Sequence, residues 1–426
     1  MEHYDGFNLP GKKIGFVSTR FAGTDGVSLE SDKWARVLEH EGFQCFYMAG
    51  ELERPADKSF PVELADFSHP DILGIQKGCF GVHERKHDIT LLINSVKEVL
   101  KDKIYEFVAK FELDLLIVEN ALAIPVNIPL GLALTEYIAE TRMPVIAHHH
   151  DFFWERKRFF VNAAGDYLRM AFPPKLPSIH HVVINTPADE QLGLRTGISS
   201  MVIPNVMDFE TAPPALDDYS ADARESLGVK KDEKFILQPT RVVQRKGIEH
   251  SIEFVKRLKL KAKLVISHAS GDEGNAYENR VREYSALMRV DTLFVSEVIK
   301  EHRGITPDGR KVYTIWDVYP HADLVTYPSD FEGFGNAFLE AVYFRKPLVV
   351  NRYSVYETDI MPRGFEMIEM DDFVTTDAIG RARLILKDKA RSREVADKNY
   401  ELGKKYFSFS VLRQKLKTLL MDCFSG

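Results

Sequence analysis

The sequence predicts an α/β protein made of two doubly wound halves, because short apolar runs alternate with helical patterns along most of its length. Its 426 residues exceed one domain of roughly 100 to 200 residues. A stretch rich in proline and aspartate, residues 211–222, separates two series of alternations. We therefore expect a Rossmann-like domain over residues 1–210, a second over 211–395, and a C-terminal helix over 396–426 that packs back on the first.

Composition narrows the classes of function. Lysine and arginine number 56 against 63 aspartates and glutamates, a net charge of −7, so the basic excess of a nucleic-acid-binding protein is missing. No run approaches the roughly 18 apolar residues of a membrane span, and the N-terminus lacks a signal-peptide apolar segment. The three cysteines, Cys45, Cys79 and Cys423, are too far apart to indicate a disulfide framework or a cysteine-rich metal site. We expect a cytoplasmic protein with no nucleic-acid partner and no transmembrane segment. The sequence does not indicate the oligomeric state.

Both halves show the alternation in detail. Apolar runs typical of buried parallel strands occur in the first half at residues 13–18, 43–48, 115–118, 145–147, 181–184 and 202–204. In the second half they occur at residues 235–237, 264–266, 293–295, 324–326 and 347–350. Helical spacing after the first run of each half is shown by Leu29, Trp34, Val37 and Leu38, and by Ile248, Ile252, Val255 and Leu258. A third stripe predicts a C-terminal packing helix: Val411, Leu412, Leu416, Leu419 and Leu420.

Residues 327–340, YPSDFEGFGNAFLE, carry the strongest functional signal. A predicted strand ends, a glycine-containing turn follows, and a helix begins near Asn336, which is where open α/β sheets bind ligands. Free amides and the positive end of the dipole at a helix start suit a phosphate. Glu332 and Glu340 can accept hydrogen bonds from hydroxyls on different parts of one ligand. The alternative is one acidic residue that favours the helix dipole and one surface glutamate.

Residues 239–247, PTRVVQRKG, follow the first predicted strand of the second half. Arg241 and Lys246 lie on a strand-to-helix connection, where both can point toward the edge of the sheet. Two cations there would neutralise a diphosphate as its charge grows. A solvated basic loop is the alternative interpretation.

Together these two segments resemble the retaining nucleotide-sugar glycosyltransferases of family 4, which have the GT-B fold of two Rossmann-like domains facing a central cleft. The resemblance is strongest over residues 235–350. The first half agrees more loosely, through its glycine loop at residues 23–27 and a His-Asp element after a strand. Two departures are a missing glycine after Asn205 and unpaired glycines in the first loop.

The resemblance implies roles for individual residues. Glu332 would contact the hydroxyls of the transferred sugar, Glu340 the nucleotide ribose, and Arg241 with Lys246 the diphosphate. Backbone amides in the turn and first helical residues would complete the donor site: Gly333, Phe334, Gly335, Asn336 and Ala337. Gly26 would let the first-domain loop approach the donor phosphates or the acceptor. His150, or His149 if the register differs by one, would lie against the donor sugar as a catalytic residue.

The segment after the histidines is a candidate acceptor site. Aromatic faces suit sugar rings, and arginines can hold an anionic acceptor such as a phosphorylated or carboxylated sugar. The candidates are His149, Asp151, Trp154, Arg156 and Arg158. An ordinary amphipathic surface helix is the alternative. Adjacent histidines on a strand point opposite ways and seldom chelate one ion, so we expect no metal.

The predicted reaction is retaining transfer of a hexose from a nucleoside diphosphate sugar, of the UDP-glucose or GDP-mannose type, to a small soluble hydroxyl acceptor that can be anionic. Apart from this co-substrate, no cofactor is expected. Two alternatives remain open: a sugar-nucleotide epimerase of the same architecture, and a catalytically silent subunit that binds a sugar nucleotide.

Overall fold

The computed structural model describes residues 11–23, 25–271 and 274–424, which form two compact units. The first unit runs to Asn205 and resumes at Phe409, and the second is Val206–Ser408. These boundaries differ from the predicted ones at 210 and 395. The reason is that the amide of Met207 donates to the carbonyl of Phe407 at 2.9 Å, which ties the start of the second unit to its last helix.

The first unit contains a seven-stranded sheet in the order β5-β3-β1-β6-β7-β8-β9, with every neighbouring pair parallel. Its strands, and two short ones that pair separately, are β1 (Lys13–Val17), β2 (Arg20–Phe21), β3 (Gln44–Ala49), β4 (Glu51–Leu52), β5 (Ser59–Pro61), β6 (Leu115–Glu119), β7 (Val145–His149), β8 (Ile179–Val183) and β9 (Ser200–Val202). β6 and β7 are buried throughout, as expected for central strands covered on both faces.

Polar caps and apolar stripes determine the helices of this unit. They are α1 (Gly26–His40), α2 (Pro70–Cys79), α3 (His87–Phe111), α4 (Ile128–Thr141), α5 (Gly165–Ala171) and α6 (Thr186–Thr196). The side chains of Asp25, Asn127 and Asn185 accept hydrogen bonds from the first-turn amides of α1, α4 and α6. α3, for which the sequence analysis makes no prediction, buries one stripe: Ile93, Val96, Leu100, Ile104, Phe107 and Phe111.

The second unit contains a six-stranded parallel sheet in the order β12-β11-β10-β15-β16-β17, the order of a dinucleotide-binding domain. The strands of the unit are β10 (Lys234–Gln238), β11 (Ala262–Ile266), β12 (Thr292–Phe294), β13 (Gly304–Ile305), β14 (Lys311–Val312), β15 (Leu324–Tyr327), β16 (Leu348–Asn351) and β17 (Ile368–Met370). Its helices are α7 (Ala223–Ser226), α8 (Ile248–Leu258), α9 (Ala276–Met288), α10 (Ile315–Val318), α11 (Asn336–Tyr343), α12 (Thr376–Lys387) and α13 (Lys389–Phe407). All four residues of the predicted α8 stripe are buried.

The chain ends in α14 (Phe409–Phe424), which belongs to the first unit. Its stripe residues Leu412, Leu416, Leu419 and Leu420 are buried. On the polar side, Arg413 pairs with Glu41 at 2.6 Å, next to the end of α1. Among the described residues, no helix combines the length and apolar character needed to cross a bilayer.

Candidate active site

The site residues predicted in the second unit lie where its strand order reverses. β10 and β15 are neighbours in the sheet, yet the strands that follow them in the chain run outward in opposite directions. Residues 239–247 follow β10 and residues 328–335 follow β15. Because parallel strands end at one edge, both segments meet at this switch point, where α/β sheets bind ligands.

The Lys246 ammonium contacts the Glu332 carboxylate directly, and both residues are 8% exposed. Arg245 Nη1 lies 3.4 Å from the second carboxylate oxygen, so Glu332 is held between two cations. Burial raises the pKa of Glu332, but the charges of Lys246 and Arg245 outweigh burial and lower it. Burial also lowers the pKa of Lys246. Lys246 and Glu332 are predicted from the sequence, whereas Arg245 is not, because its contact depends on how the loop folds.

Gly335 is the N-cap of α11 and allows the chain to turn tightly there. Its φ of +120° is one that residues with a side chain rarely adopt. A Cβ at this position would lie 2.9 Å from the Tyr353 hydroxyl and 3.1 Å from that of Tyr327. The Tyr353 hydroxyl also donates to the carbonyl of Phe334 at 2.8 Å. The turn is therefore fixed by tyrosines, and its N-cap has no side chain to cap the amides of the first turn.

Glu340 and Arg241 have different surroundings from the Lys246–Glu332 pair. The Tyr319 hydroxyl donates to Glu340 Oε2 at 2.8 Å, and Glu340 is half-buried. Arg241 is exposed and forms no ion pair with the residues that the structure describes. His268 follows β11 at the same edge, and burial together with Arg241 and Lys246 lowers its pKa to about 4. Sequence reasoning missed Tyr319 and His268, which lie outside the two motifs.

The three adjacent histidines of the first unit have separate environments. His149 is fully buried, and its Nε2 is 2.9 Å from Nδ1 of His181 on β8. His148 is also fully buried and stacks on Trp34 of α1 with the ring centroids 4.2 Å apart. His150 is 8% exposed and follows the end of β7. Of the two candidates for the sugar contact, this arrangement favours His150.

Glu119, the last residue of β6, is the partner that sequence reasoning missed. Its Oε2 lies 2.9 Å from His150 Nε2 and 3.0 Å from His148 Nδ1. Burial raises the pKa of Glu119, but the two histidines outweigh burial and lower it to about 2. The sequence offers one signal for Glu119: it is a carboxylate at the end of an apolar strand, and the next strand along the chain ends in the histidines.

Glu119, His148 and His150 have ligand-type atoms within 4.8 Å of one another, so they are the described residues best placed to hold a metal ion. His148 and His150 are two residues apart and reach the same carboxylate, which the prediction from adjacent histidines did not consider. The 2.9 Å contact between His150 and Glu119 is a direct hydrogen bond. Glu119 and His150 are therefore a hydrogen-bonded pair, whereas both ring nitrogens of His148 and Oε1 of Glu119 are buried without a hydrogen-bond partner among the described residues.

The candidate acceptor segment forms two short 3-10 turns, Phe153–Glu155 and Lys157–Phe159, instead of the amphipathic helix weighed as an alternative. Asp151 and Arg156 form an ion pair. Arg158 forms none with the described residues; its guanidinium lies 4.6 Å from the centroid of the Phe159 ring. Burial and the charge of Arg156 lower the pKa of Arg158.

Two further predicted residues of the first unit are Trp154 and Gly26. The Trp154 ring stacks on Phe152 at 4.4 Å between centroids and is half-buried. Gly26 is the first residue of α1 and is exposed. It follows Asp25, which caps the helix and lies 3.3 Å from Arg20. Of the predicted glycine loop, Thr24 lies outside the described residues.

Comparison with known proteins identifies the family. Residues 220–362 match the family described as glycosyl transferases group 1. Mannosylglucosylglycerate synthase of Thermotoga maritima is 31% identical over 95% of this chain and 98% of its own length. The enzyme of the same name from Petrotoga mobilis is 32% identical over 84% of this chain and 86% of its own length. The chain belongs to this glycosyltransferase family.

Comparison with solved structures agrees with this family assignment in the fold. A glycosyltransferase of Rickettsia africae superposes with a TM-score of 0.70 at 13% identity, covering 98% of this chain and 100% of the other. The predicted GT-B fold of the glycosyltransferase is therefore confirmed. The family match includes residues 241–246 and 332–340, so the two predicted motifs lie within it.

Proposed function

We propose that the chain is a retaining glycosyltransferase of family 4 that moves a mannosyl group from a nucleoside diphosphate sugar to a glucosylglycerate-type acceptor. One observation carries the proposal: at the switch point of the second unit, Lys246 and Arg245 surround the buried carboxylate of Glu332, and Arg241 adds an exposed cation beside them. Three cations and one carboxylate at this switch point leave a positive excess, which suits a diphosphate.

The chemical step follows from this charge distribution. The bond between the anomeric carbon and the diphosphate oxygen breaks, and the bond pair leaves with the diphosphate. Lys246, Arg241 and the first amides of α11 stabilise the departing charge. An acceptor hydroxyl forms the new bond on the same face of the sugar, and its proton passes to a departing phosphate oxygen. Glu332 would hold hydroxyls of a sugar that develops oxocarbenium character.

The sugar and the acceptor are inferred from the names of the relatives. Their product contains mannose, glucose and glycerate. Between the donor types that the sequence suggests, GDP-mannose carries the named sugar. The carboxylate of glycerate makes the acceptor anionic, which agrees with cations in the segment after His150. Arg158 is the better candidate to bind it, because Arg156 is already paired with Asp151.

The test is a product assay with purified full-length protein. GDP-mannose and UDP-glucose are each incubated with glucosylglycerate, with glucosylglycerol, which lacks the carboxylate, and without acceptor. We expect release of nucleoside diphosphate and a product of the summed mass with GDP-mannose and glucosylglycerate, and NMR of its new linkage should show the α configuration of the donor.

Other outcomes identify the alternatives. Isomerised donor without acceptor would support the epimerase. Tight donor binding without transfer or hydrolysis would support the silent subunit. Equal rates with glucosylglycerol would contradict the anionic acceptor, and an inverted linkage would contradict retention.

A further inference from the structure

Glu119, at the end of β6, and Asn120, which follows it, hold the end of β7 and the loop after it through four contacts. The amide of Asn120 donates to the carbonyl of His148 at 2.9 Å, and the amide of His150 donates to the Asn120 side-chain oxygen at 3.0 Å. The Asn120 side-chain nitrogen donates to Asp151 at 2.9 Å. The fourth contact is the hydrogen bond of 2.9 Å between Glu119 and the His150 ring. Backbone and ring of His150 are thus both fixed by two consecutive residues.

Asn120 adopts the left-handed conformation, with φ of +61°, which is uncommon for a residue with a side chain. Asparagine tolerates this region better than most residues. The conformation lets the Asn120 side chain reach the backbone amide of His150 and the carboxylate of Asp151. Glu119 meanwhile points toward the imidazole rings of His148 and His150. Such backbone strain is maintained where the surroundings determine it strongly, as at functional sites.

We propose that Glu119 and Asn120 are the positioning residues of His150: Asn120 sets the backbone and Glu119 sets the ring orientation. The inference rests on the proposed function because it takes His150 as the residue that contacts the donor sugar. Neither Glu119 nor Asn120 needs to touch a substrate.

The surrounding charges agree with a protonated His150. Burial lowers its pKa, but the hydrogen bond and negative charge of Glu119 outweigh burial and raise it. From α1, Glu30 adds negative charge and is itself 2.9 Å from Lys33. Asp151, the next residue in the chain, also raises the pKa of His150 through its negative charge. Burial lowers the pKa of His148, the second ring beside the pair.

The first test is Glu119→Gln, which keeps the shape but removes the charge. We expect kcat to fall at least tenfold and donor KM to change less than threefold. NMR of histidine-labelled protein, with the His150 resonance assigned from His150→Ala, should show that His150 titrates at a lower pH in the variant. The basic limb of the kcat profile should move in the same direction, because loss of the Glu119 charge lets the ring lose its proton at a lower pH.

Asp114→Asn is the matched control, since Asp114 precedes β6 at its other end and pairs with Lys12 at 2.6 Å. It should leave kcat within twofold of the wild-type value and the His150 titration unmoved.

Asn120→Gly is a second variant, because glycine accepts the left-handed backbone while the side-chain contacts disappear. It should lower kcat three- to tenfold with an unmoved pH profile, since no charge is lost.

The overturning results are distinct. An unmoved His150 titration in Glu119→Gln, or a moved titration with kcat unchanged, would overturn the inference. If Glu119→Gln does not fold, unchanged kcat in Asn120→Gly would do so. Full activity of His150→Ala would overturn it as well, without affecting the proposed reaction, which the product assay tests separately.

Discussion

The two units place different kinds of charge at the edge of the same type of parallel sheet. In the second unit the groups are a lysine, arginines and a carboxylate, with Glu332 held by Lys246 and Arg245. In the first unit a carboxylate, Glu119, meets the imidazoles of His148 and His150. Permanent cations suit a phosphate at any physiological pH, whereas imidazoles change charge within that range. Removal of a charged group in the second unit should therefore lower rates uniformly with pH, whereas removal of the Glu119 charge in the first should change the pH profile.

The largest effect is expected for Lys246→Ala. Loss of a donor to a developing anion costs about 2.7 to 4 kcal/mol, which lowers kcat by about 10² to 10³. The variant also leaves Glu332 buried beside only one cation, and breaking a buried pair lowers the free energy of unfolding by about 3 to 5 kcal/mol. Steady-state kinetics and urea unfolding measure the two effects.

Arg241→Ala should slow the departure of the diphosphate with little change in the free energy of unfolding, because Arg241 is exposed.

Glu332→Gln should lower kcat by about 10²-fold while the protein stays folded. The fall should be the same from pH 6 to pH 8, because the lowered pKa of Glu332 keeps the wild-type carboxylate ionised over that range. Rate measurements across these pH values, with circular dichroism for folding, test it. Asp330→Asn is the control, since Asp330 is an exposed carboxylate two residues away. Comparable losses in both variants would mean that Glu332 has no specific role.

A smaller effect is expected for Arg158→Gln, which should raise the KM for glucosylglycerate about tenfold, or about 1.4 kcal/mol, and leave donor KM unchanged. Arg156→Gln should raise it less, because the ion pair with Asp151 already occupies that guanidinium. Initial-rate kinetics with each substrate varied separately give both constants. The opposite order would assign the acceptor contact to Arg156.

The last prediction concerns the acid stability of the first unit and leaves the reaction itself aside. Burial lowers the pKa of His181 from 6.5 to about 4, so the folded state keeps it neutral where the unfolded state binds a proton. The stabilisation is complete above pH 6.5 and is lost as the pH falls toward 4, by up to about 3 kcal/mol. His181→Gln should flatten this dependence. Urea unfolding at pH 7.5, 5.5 and 4.5, followed by Trp34 and Trp154 fluorescence in a Trp316→Phe background, measures it. An equal slope in both proteins would contradict it.

The two edges also differ in how far the sequence predicted them. In the second unit, Lys246 and Glu332 stand in motifs whose glycines and helix start could be recognised, and the structure brings the two side chains into contact. In the first unit, His150 was predicted but Glu119 was not. An acidic residue at the end of an apolar strand has no local pattern that distinguishes it from a surface carboxylate.

The sequence by itself determined the alternation of strands and helices, the buried faces of α8 and α14, and the two motifs of the second unit. These depend on periodicity and on turn residues, which are local. Only the tertiary structure decided that His149 contacts His181, that Arg245 joins Lys246 at Glu332, and that Glu119 and Asn120 hold His150. Those contacts join residues far apart in the chain, so they exist only once parallel strands have aligned their carboxyl ends at one edge.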